Sequence, residues 1–252
     1  MATWNVNSLN ARLERVSDWL SDVSPDVCCL QETKMADSAF PALHFKELGY
    51  ESVHVGEGRW NGVAILSKIG LEEPQFEFGT ELSADARIVG AQCGDNLIYS
   101  VYVPNGRSLE DDHYQFKLRW LAELKGHLKA DLDAGKNVIV AGDWNVAPED
   151  RDVWDIAEFE NSTHVTDAER DAIKEIIDLG FVDTFRQDHD EEKLYSYYDY
   201  QAGRFHKRQG IRIDYILASE SIAKKSQLNI VDRNARKGTK PSDHAPVLSV
   251  FS

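Results

Sequence analysis

The sequence predicts a layered α/β protein with helices outside the sheets. Three observations lead there. Short apolar runs bounded by turn residues recur along the whole chain, as buried strands do. A few longer stretches carry apolar residues at spacings of three and four, as amphipathic helices do. No internal repeat, low-complexity tract or Pro/Gly/Ser linker divides the 252 residues, so residues 1–252 are expected to form one domain. Strands interleaved with helices must bury one face of each, and stacked layers do this.

Taken in order, Leu9, Leu13, Val16, Leu20 and Val23 mark a helix over 9–23. Asp26-Val27-Cys28-Cys29-Leu30, following Pro25, reads as a buried strand. Val63–Leu66 and Leu97–Tyr102 read as strands too. Phe116, Leu118, Leu121, Leu124, Leu128 and Leu132 place a long helix over 112–132, and Asn137–Ala141 is a further buried strand. Residues 166–179 form a helix whose N-terminus has the capping-box pattern, Thr166 with Glu169 three residues on. Tyr195–Tyr200, Arg212–Ala218 and Pro246–Phe251 complete the strands.

Composition excludes several classes. Hydrophobic content of 42% with 10% aromatic residues rules out disorder, collagen and coiled coil. No apolar run approaches the roughly 20 residues of a membrane span. The start, Met1-Ala2-Thr3-Trp4-Asn5, shows no basic stretch leading into an apolar one, so no secretory signal is expected. Three cysteines, two adjacent (Cys28 and Cys29), make no disulfide framework and are expected in the core. A reducing cytoplasm is the expected compartment. The net charge of −15 argues, for the chain as a whole, against a polyanionic partner. The charge is uneven, however. Residues 201–252 hold 10 basic and 4 acidic residues, a balance of +6, against −21 for residues 1–200. Its basic residues cluster in Arg204–Arg212 and Arg233–Lys240. One such run is ordinarily a solvated loop; two can make a rim facing a polyanion.

Polar residues follow or precede these strands repeatedly. They are Asn5 and Asn7 at the start, Glu32 after Leu30, Tyr102 and Asn105 around Val103, Asp143 and Asn145 after Ala141, Asp214 after Ile213, and Asp243-His244 before the last strand. A single Asp after a strand is ordinarily a turn former. Six such segments instead form a pattern of groups positioned by a rigid sheet. Their chemistry is oxygen-rich: four carboxylates, the amides of Asn5, Asn7 and Asn145 among others, one phenol and one imidazole. Oxygen donors suit a hard cation such as Mg²⁺ or Mn²⁺. No zinc-finger or HExxH spacing, phosphate-binding P-loop or Gly-x-Ser-x-Gly elbow is present. A hard metal, acidic and amide groups, and a His beside an Asp suit hydrolysis of a phosphoester.

Seven segments resemble, in order, the motifs of the exonuclease III family of Mg²⁺-dependent DNA repair nucleases in the endonuclease/exonuclease/phosphatase superfamily. They are Asn5–Leu9, Leu30–Lys34, Asn61–Ile65, Tyr102–Gly106, Gly142–Asn145, Arg212–Leu217 and Ser242–Pro246. The resemblance implies a four-layered α/β sandwich of two mixed β-sheets packed face to face. It implies cleavage of DNA 5′ to abasic sites and removal of nucleotides or blocking groups from 3′ ends, in base excision repair. Expected partners are double-stranded DNA with abasic sites or 3′ ends; no membrane is expected, and the chain is expected to be a monomer. Tyr102, Asp143, Asn145, Asp214 and His244 match catalytic positions, with either Asp143 or His244 activating water. Asn5, Glu32, Asp143, Asn145, Asp243 and His244 match metal-binding positions. Asn7, Tyr197, Ile211, Ile213 and Arg208 are the expected DNA contacts and abasic-pocket positions. Tyr197 departs from the Trp or Phe common there, and Asn10 from a basic residue. Arg87, Arg107, Arg119 and Arg186 are read as salt-bridge formers, and Trp60 and Trp154 as packing residues. A lipid or inositol phosphoesterase and a non-catalytic nucleic-acid-binding regulator are the competing functions on the same fold.

Overall fold

The computed structural model describes residues 1–76, 78 and 85–252. Twelve strands occur among them. These are β1 (Ala2–Asn5), β2 (Val27–Gln31), β3 (Glu51–Val55), β4 (Val63–Ser67), β5 (Glu72–Gln75), β6 (Ile88–Cys93), β7 (Asn96–Tyr102), β8 (Val138–Asp143), β9 (Phe181–Asp183), β10 (Asp214–Ser219), β11 (Ser226–Val231) and β12 (Val247–Phe251). The α-helices are α1 (Leu9–Val23), α2 (Ala42–Glu47), α3 (Asp112–Asp133), α4 (Asp167–Ile177), α5 (Thr184–Asp188), α6 (Arg204–Lys207) and α7 (Glu220–Ala223).

The strands make two six-stranded sheets, ordered β11-β12-β1-β2-β4-β3 and β5-β6-β7-β8-β10-β9. Each sheet is mixed in the same way: one central parallel pair, β1/β2 or β7/β8, flanked by antiparallel strands. A parallel pair needs a long crossover, and α1 and α3 supply the two crossovers. The sheets face each other across an apolar core that includes Cys29, Ile65, Val89, Ile98, Ile139, Ala141 and Ile216. Trp4, Cys28 and Leu30, on the other face of the first sheet, pack with Leu9, Val16 and Leu20 of α1. Tyr99, Val101 and Val140, on the other face of the second, pack with Leu121, Leu124 and Leu128 of α3 and Ile173 and Ile176 of α4. Helix, sheet, sheet and helix are thus the four expected layers. The Thr166–Glu169 capping box forms as predicted, and Cys28 and Cys29 are buried free thiols.

The alternation of side chains along a strand explains where the polar residues lie. Ile139, Ala141 and Asp143 share one face of β8; Ile98, Ser100 and Tyr102 share one face of β7. Asp214, Ile216 and Ala218 do so on β10. On each strand that face is the one turned toward the opposite sheet, and the residue at the end of the apolar row is polar. Register places Tyr102 and Asp214 on either side of Asp143, and Asn5 beside Gln31. The two sheets therefore bring Asn5, Tyr102, Asp143 and Asp214 to one edge of the shared core. Gly142 makes this edge possible: a Cβ there would lie 1.9 Å from the Val101 carbonyl oxygen on β7.

One expected strand is absent. Tyr195–Tyr200 forms only isolated bridges, Tyr197 to Ile211 and to His244. Its backbone serves two neighbours instead of one ladder: Tyr197 N donates to Ile211 O, and Tyr198 N to Asp243 O. The Asp199 side chain then takes the Gln201 N–H and turns the chain. Strand propensity of the tyrosines was real but yielded to these tertiary bonds.

Candidate active site

Glu32 follows β2 in a left-handed conformation (φ 50°). Its backbone is fixed by Ser8 N, which donates to Glu32 O at 2.7 Å. Asn5 Nδ2 donates to both Glu32 Oε1 (2.8 Å) and Asp143 Oδ2 (2.9 Å), tying the two sheets together at the site. Lys34 Nζ pairs with Glu32 Oε2 at 2.7 Å and donates to Asn7 Oδ1 at 2.6 Å. Burial would raise the Glu32 carboxyl, but the charge and hydrogen bonds of Lys34, then Asn5, hold it below the ordinary carboxylate range. Asn7 N caps Asn5 Oδ1, and Asn7 Nδ2 reaches Asp243 Oδ1 at 3.1 Å.

On the second sheet, Asp143 Oδ1 accepts the Asn145 N–H at 2.9 Å. Burial first, then the neighbouring Asp214, push the Asp143 carboxyl up to about 8, against the pull of His244 and Asn5. His244 is buried, its Nδ1 2.8 Å from Asp214 Oδ2 and its Nε2 3.8 Å from Asp143 Oδ2. Burial would lower its imidazole; the carboxylates of Asp214 and Asp143 outweigh that and raise it to about 10. Tyr102, half-buried, lies under the Arg87 guanidinium (4.9 Å to the ring). Burial and the adjacent Glu32 and Asp143 hold its phenol well above the ordinary value, so it stays a neutral donor.

Glu32, Asp143 and His244 each offer a ligand atom within 4.8 Å of the others. Asp243 is outside that group, held by Asn7 and Ser242. Asn145 also faces elsewhere for part of its bonding: its Nδ2 donates to Val103 O (2.9 Å), and its Oδ1 accepts from Asn105 Nδ2 (3.3 Å). The site fits a hard cation on its own chemistry. Two close carboxylates lie in low dielectric, Asp143 raised by burial and then by Asp214, and a cation relieves that cost.

No pattern in the sequence singles out Ser196. Its Oγ donates to Asp214 Oδ2 (2.6 Å) and accepts from Ile213 N and Asp214 N. This fixes the carboxylate that orients His244.

Beside this group opens a cleft of about 400 Å³, walled by Trp154, Phe159, Tyr197, Gly210 and Ile211, with Asn105 and His164 at its polar side. Tyr197, its ring 4.9 Å from that of His244, and Ile211 line this cleft. Ile213 lies beneath them, buried with Ala147 and Val153. Arg208 is exposed at the end of α6 and does not line the cleft; Arg204 and Gln209 do. Trp154 is a cleft wall with Arg204 over its ring at 5.0 Å, and Trp60 is 71% exposed, so neither is a buried packing residue. Arg87, Arg107 and Arg186 make ion pairs with Asp85, Asp111 and Asp152, as expected. The two basic runs meet in space, because Arg233 and Arg236 stack on Phe205 at 5.0 and 4.8 Å.

Fold and site define a hydrolase built for a phosphoester. The Endonuclease/Exonuclease/phosphatase family model matches residues 2–244, and the chain belongs to that family. Within it the chain is similar to exodeoxyribonucleases. It is 32% identical over 255 residues to Exodeoxyribonuclease of Bacillus subtilis (strain 168), covering 98% of this chain and 97% of that protein. Recombination repair protein 1 of Drosophila melanogaster is 34% identical over 257 residues, but the chain spans only 37% of its length. Among solved structures, an AP endonuclease from Archaeoglobus fulgidus superposes with TM-score 0.96 at 37% identity, covering 100% of this chain and 98% of that one. The 3′ phosphatase NExo from Neisseria, bound to product DNA hairpin, does so with TM-score 0.96 at 33% identity and the same coverage. No helix among the described residues is long and apolar enough to cross a membrane.

Proposed function

We propose that this chain is a Mg²⁺-dependent DNA phosphodiesterase that cleaves duplex DNA 5′ to abasic sites and cleans 3′ ends, working as a single-domain monomer in a reducing compartment. The observation that carries this reading is the Asp143–His244–Asp214 line beside Glu32 and Asn5, at the mouth of an aromatic-walled cleft. Solved relatives titled AP endonuclease and 3′ phosphatase support the two substrate types.

Asp143 is the general base in this reading. A carboxyl raised to about 8 accepts a proton from water far better than an ordinary one. His244 cannot share that role while its ring is protonated. Held by Asp214, it supplies positive charge to the phosphate oxygens as the bond to phosphorus forms and the 3′ oxygen leaves. The Tyr102 phenol donates to the same oxygens, and Asn7 and Asn145 orient the phosphate. Glu32, steadied by Asn5, would hold Mg²⁺ or Mn²⁺, which would offset phosphate charge and polarise the P–O bond. The cleft takes the extruded abasic sugar, and extrusion is cheapest where no base is stacked. The paired basic runs supply the salt-sensitive phosphate contact.

The test is incubation of full-length protein with an abasic duplex and with a 3′-phosphate duplex, with and without Mg²⁺. Metal-dependent nicking 5′ to the abasic site and release of the 3′ phosphate are expected. Cleavage that persists in excess chelator would remove the metal from the mechanism.

A further inference from the structure

We propose that Lys117, on α3, is a positioning residue that sets the aim of Asn145 and Asn105. This deepens the functional reading above and rests on it.

A lysine with no exposed surface needs a reason. Lys117 sits on the apolar stripe of α3 between Tyr114 and Leu121, and burial pushes its ammonium down from the ordinary value. All three of its donors are used. Lys117 Nζ bonds Glu169 Oε1 at 2.5 Å, Asn145 O at 2.7 Å and Asn105 O at 3.3 Å. A buried ion pair returns little net stability over an apolar replacement, so stability alone does not account for it.

Its two carbonyl partners matter more. Asn105 follows β7 and Asn145 follows β8, and their side chains bond each other at 3.3 Å. Asn145 holds a left-handed backbone (φ 52°), sparsely populated for a residue with a Cβ. Its carbonyl is held from two sides, by Lys117 Nζ and by His164 Nδ1 at 2.6 Å. Glu169 returns to the same knot by accepting His164 N (3.0 Å) while capping α4 through Thr166. One ammonium thus fastens both asparagine loops to the α3–α4 layer. The Glu32–Asn5 half of the site meets this knot through Asp143, which accepts from both Asn5 Nδ2 and Asn145 N. Lys117 bonds the asparagine carbonyls and none of Glu32, Asp143 and His244.

The experiment compares Lys117→Met, Lys117→Met with Glu169→Gln, and Lys117→Arg in the full chain. The double variant removes both charges, so no buried charge is left unpaired; Glu169→Gln keeps one oxygen, which accepts His164 N or Thr166 N but not both. We expect kcat on a 3′-phosphate or abasic duplex to fall 30- to 100-fold in the double variant, the scale of a displaced orienting group. KM and the Mn²⁺ dissociation constant should stay within threefold, and Lys117→Arg should restore kcat to within about tenfold. The Asn145 side-chain amide resonance should lose the shift its bond to Val103 O confers. A double variant with wild-type kcat and an unmoved resonance would overturn the proposal. So would a fall in kcat matched by an equal loss of Mn²⁺ affinity. If the wild-type chain cleaves neither duplex, the functional reading fails, while the amide resonance still decides the role of Lys117.

Discussion

Asp152 holds the floor of the cleft, and its replacement by Asn should be costly. Asp152 is fully buried between two arginines. Its Oδ1 accepts from Arg212 Nε (2.6 Å) and Arg186 Nη2 (2.5 Å); its Oδ2 accepts from Arg212 Nη2 (3.3 Å) and Glu149 N (3.1 Å). Its backbone carbonyl also receives Arg212 N, joining the 149–154 and 210–212 segments that wall the cleft. In Asp152→Asn one oxygen remains, and an NH₂ group faces two donors where Oδ2 stood. Breaking a buried pair costs about 3–5 kcal/mol because the partner charge is left uncompensated. Arg212 keeps Asp183 at 2.7 Å, so the lower end, about 3 kcal/mol, is expected. For a chain of this size that is a fall in Tm of roughly 6–12 °C. Urea denaturation at pH 7 measures it. The pH dependence gives a second check. Burial would raise the Asp152 carboxyl, but Arg212 and Arg186 hold it below the ordinary value. A depressed carboxylate contributes stability that is present above its unfolded pKa, about 3.9, and is lost as pH falls toward the folded value. The gap between wild type and variant should therefore be constant from pH 5 to 7 and shrink below pH 4. A cost under 1 kcal/mol at pH 7, or a gap that widens in acid, would refute the reasoning.

Other consequences are as direct. Asp143→Asn should cut kcat by about 10²–10⁴, the contribution of a general base, while DNA binding measured by fluorescence anisotropy stays within a few-fold. At sub-saturating Mg²⁺, kcat/KM should rise with pH through about 8 as Asp143 loses its proton, and fall near 10 as His244 loses its charge. Saturating Mg²⁺ should move the rising limb to lower pH, since a cation favours the ionised carboxylate; an unmoved limb would separate Asp143 from the metal. Gly142→Ala drives a Cβ into the Val101 carbonyl and should lower both Tm, by thermal denaturation, and activity. Replacing Arg204, Lys207 and Arg208 together by Ser should flatten the dependence of log Kd on log salt for duplex DNA.

Much of this site was legible because its chemistry follows directly on buried strands. Val138–Gly142 runs straight into Asp143, and Asp214 opens the apolar run 215–218. β2, β4, β7, β8, β10 and β12, and the helices α1, α3 and α4, follow from the same kind of pattern. Other parts left weaker marks. β3 and β11 lie at the edges of their sheet, so their alternation is diluted by exposed residues. Tyr195–Tyr200 has the residues of a strand but spends its backbone bonds on two separate neighbours. Ser196 acts through one hydroxyl, which no periodicity reveals. Lys117 did leave a signal: a lysine standing on the apolar stripe of a helix. The net charge of −15 gave the wrong first impression of partners, because two basic runs far apart in sequence meet around Phe205.

The central claim is that Asp143, His244 and a bound Mg²⁺ hydrolyse a DNA phosphoester at this edge of the sandwich. The direct measurement follows a 5′-labelled duplex containing one abasic site, with wild type and Asp143→Asn, in Mg²⁺ and in EDTA. One product is expected, nicked immediately 5′ to the abasic site and formed only by wild type in Mg²⁺. An intact strand under that condition, or equal cleavage by Asp143→Asn, would contradict it.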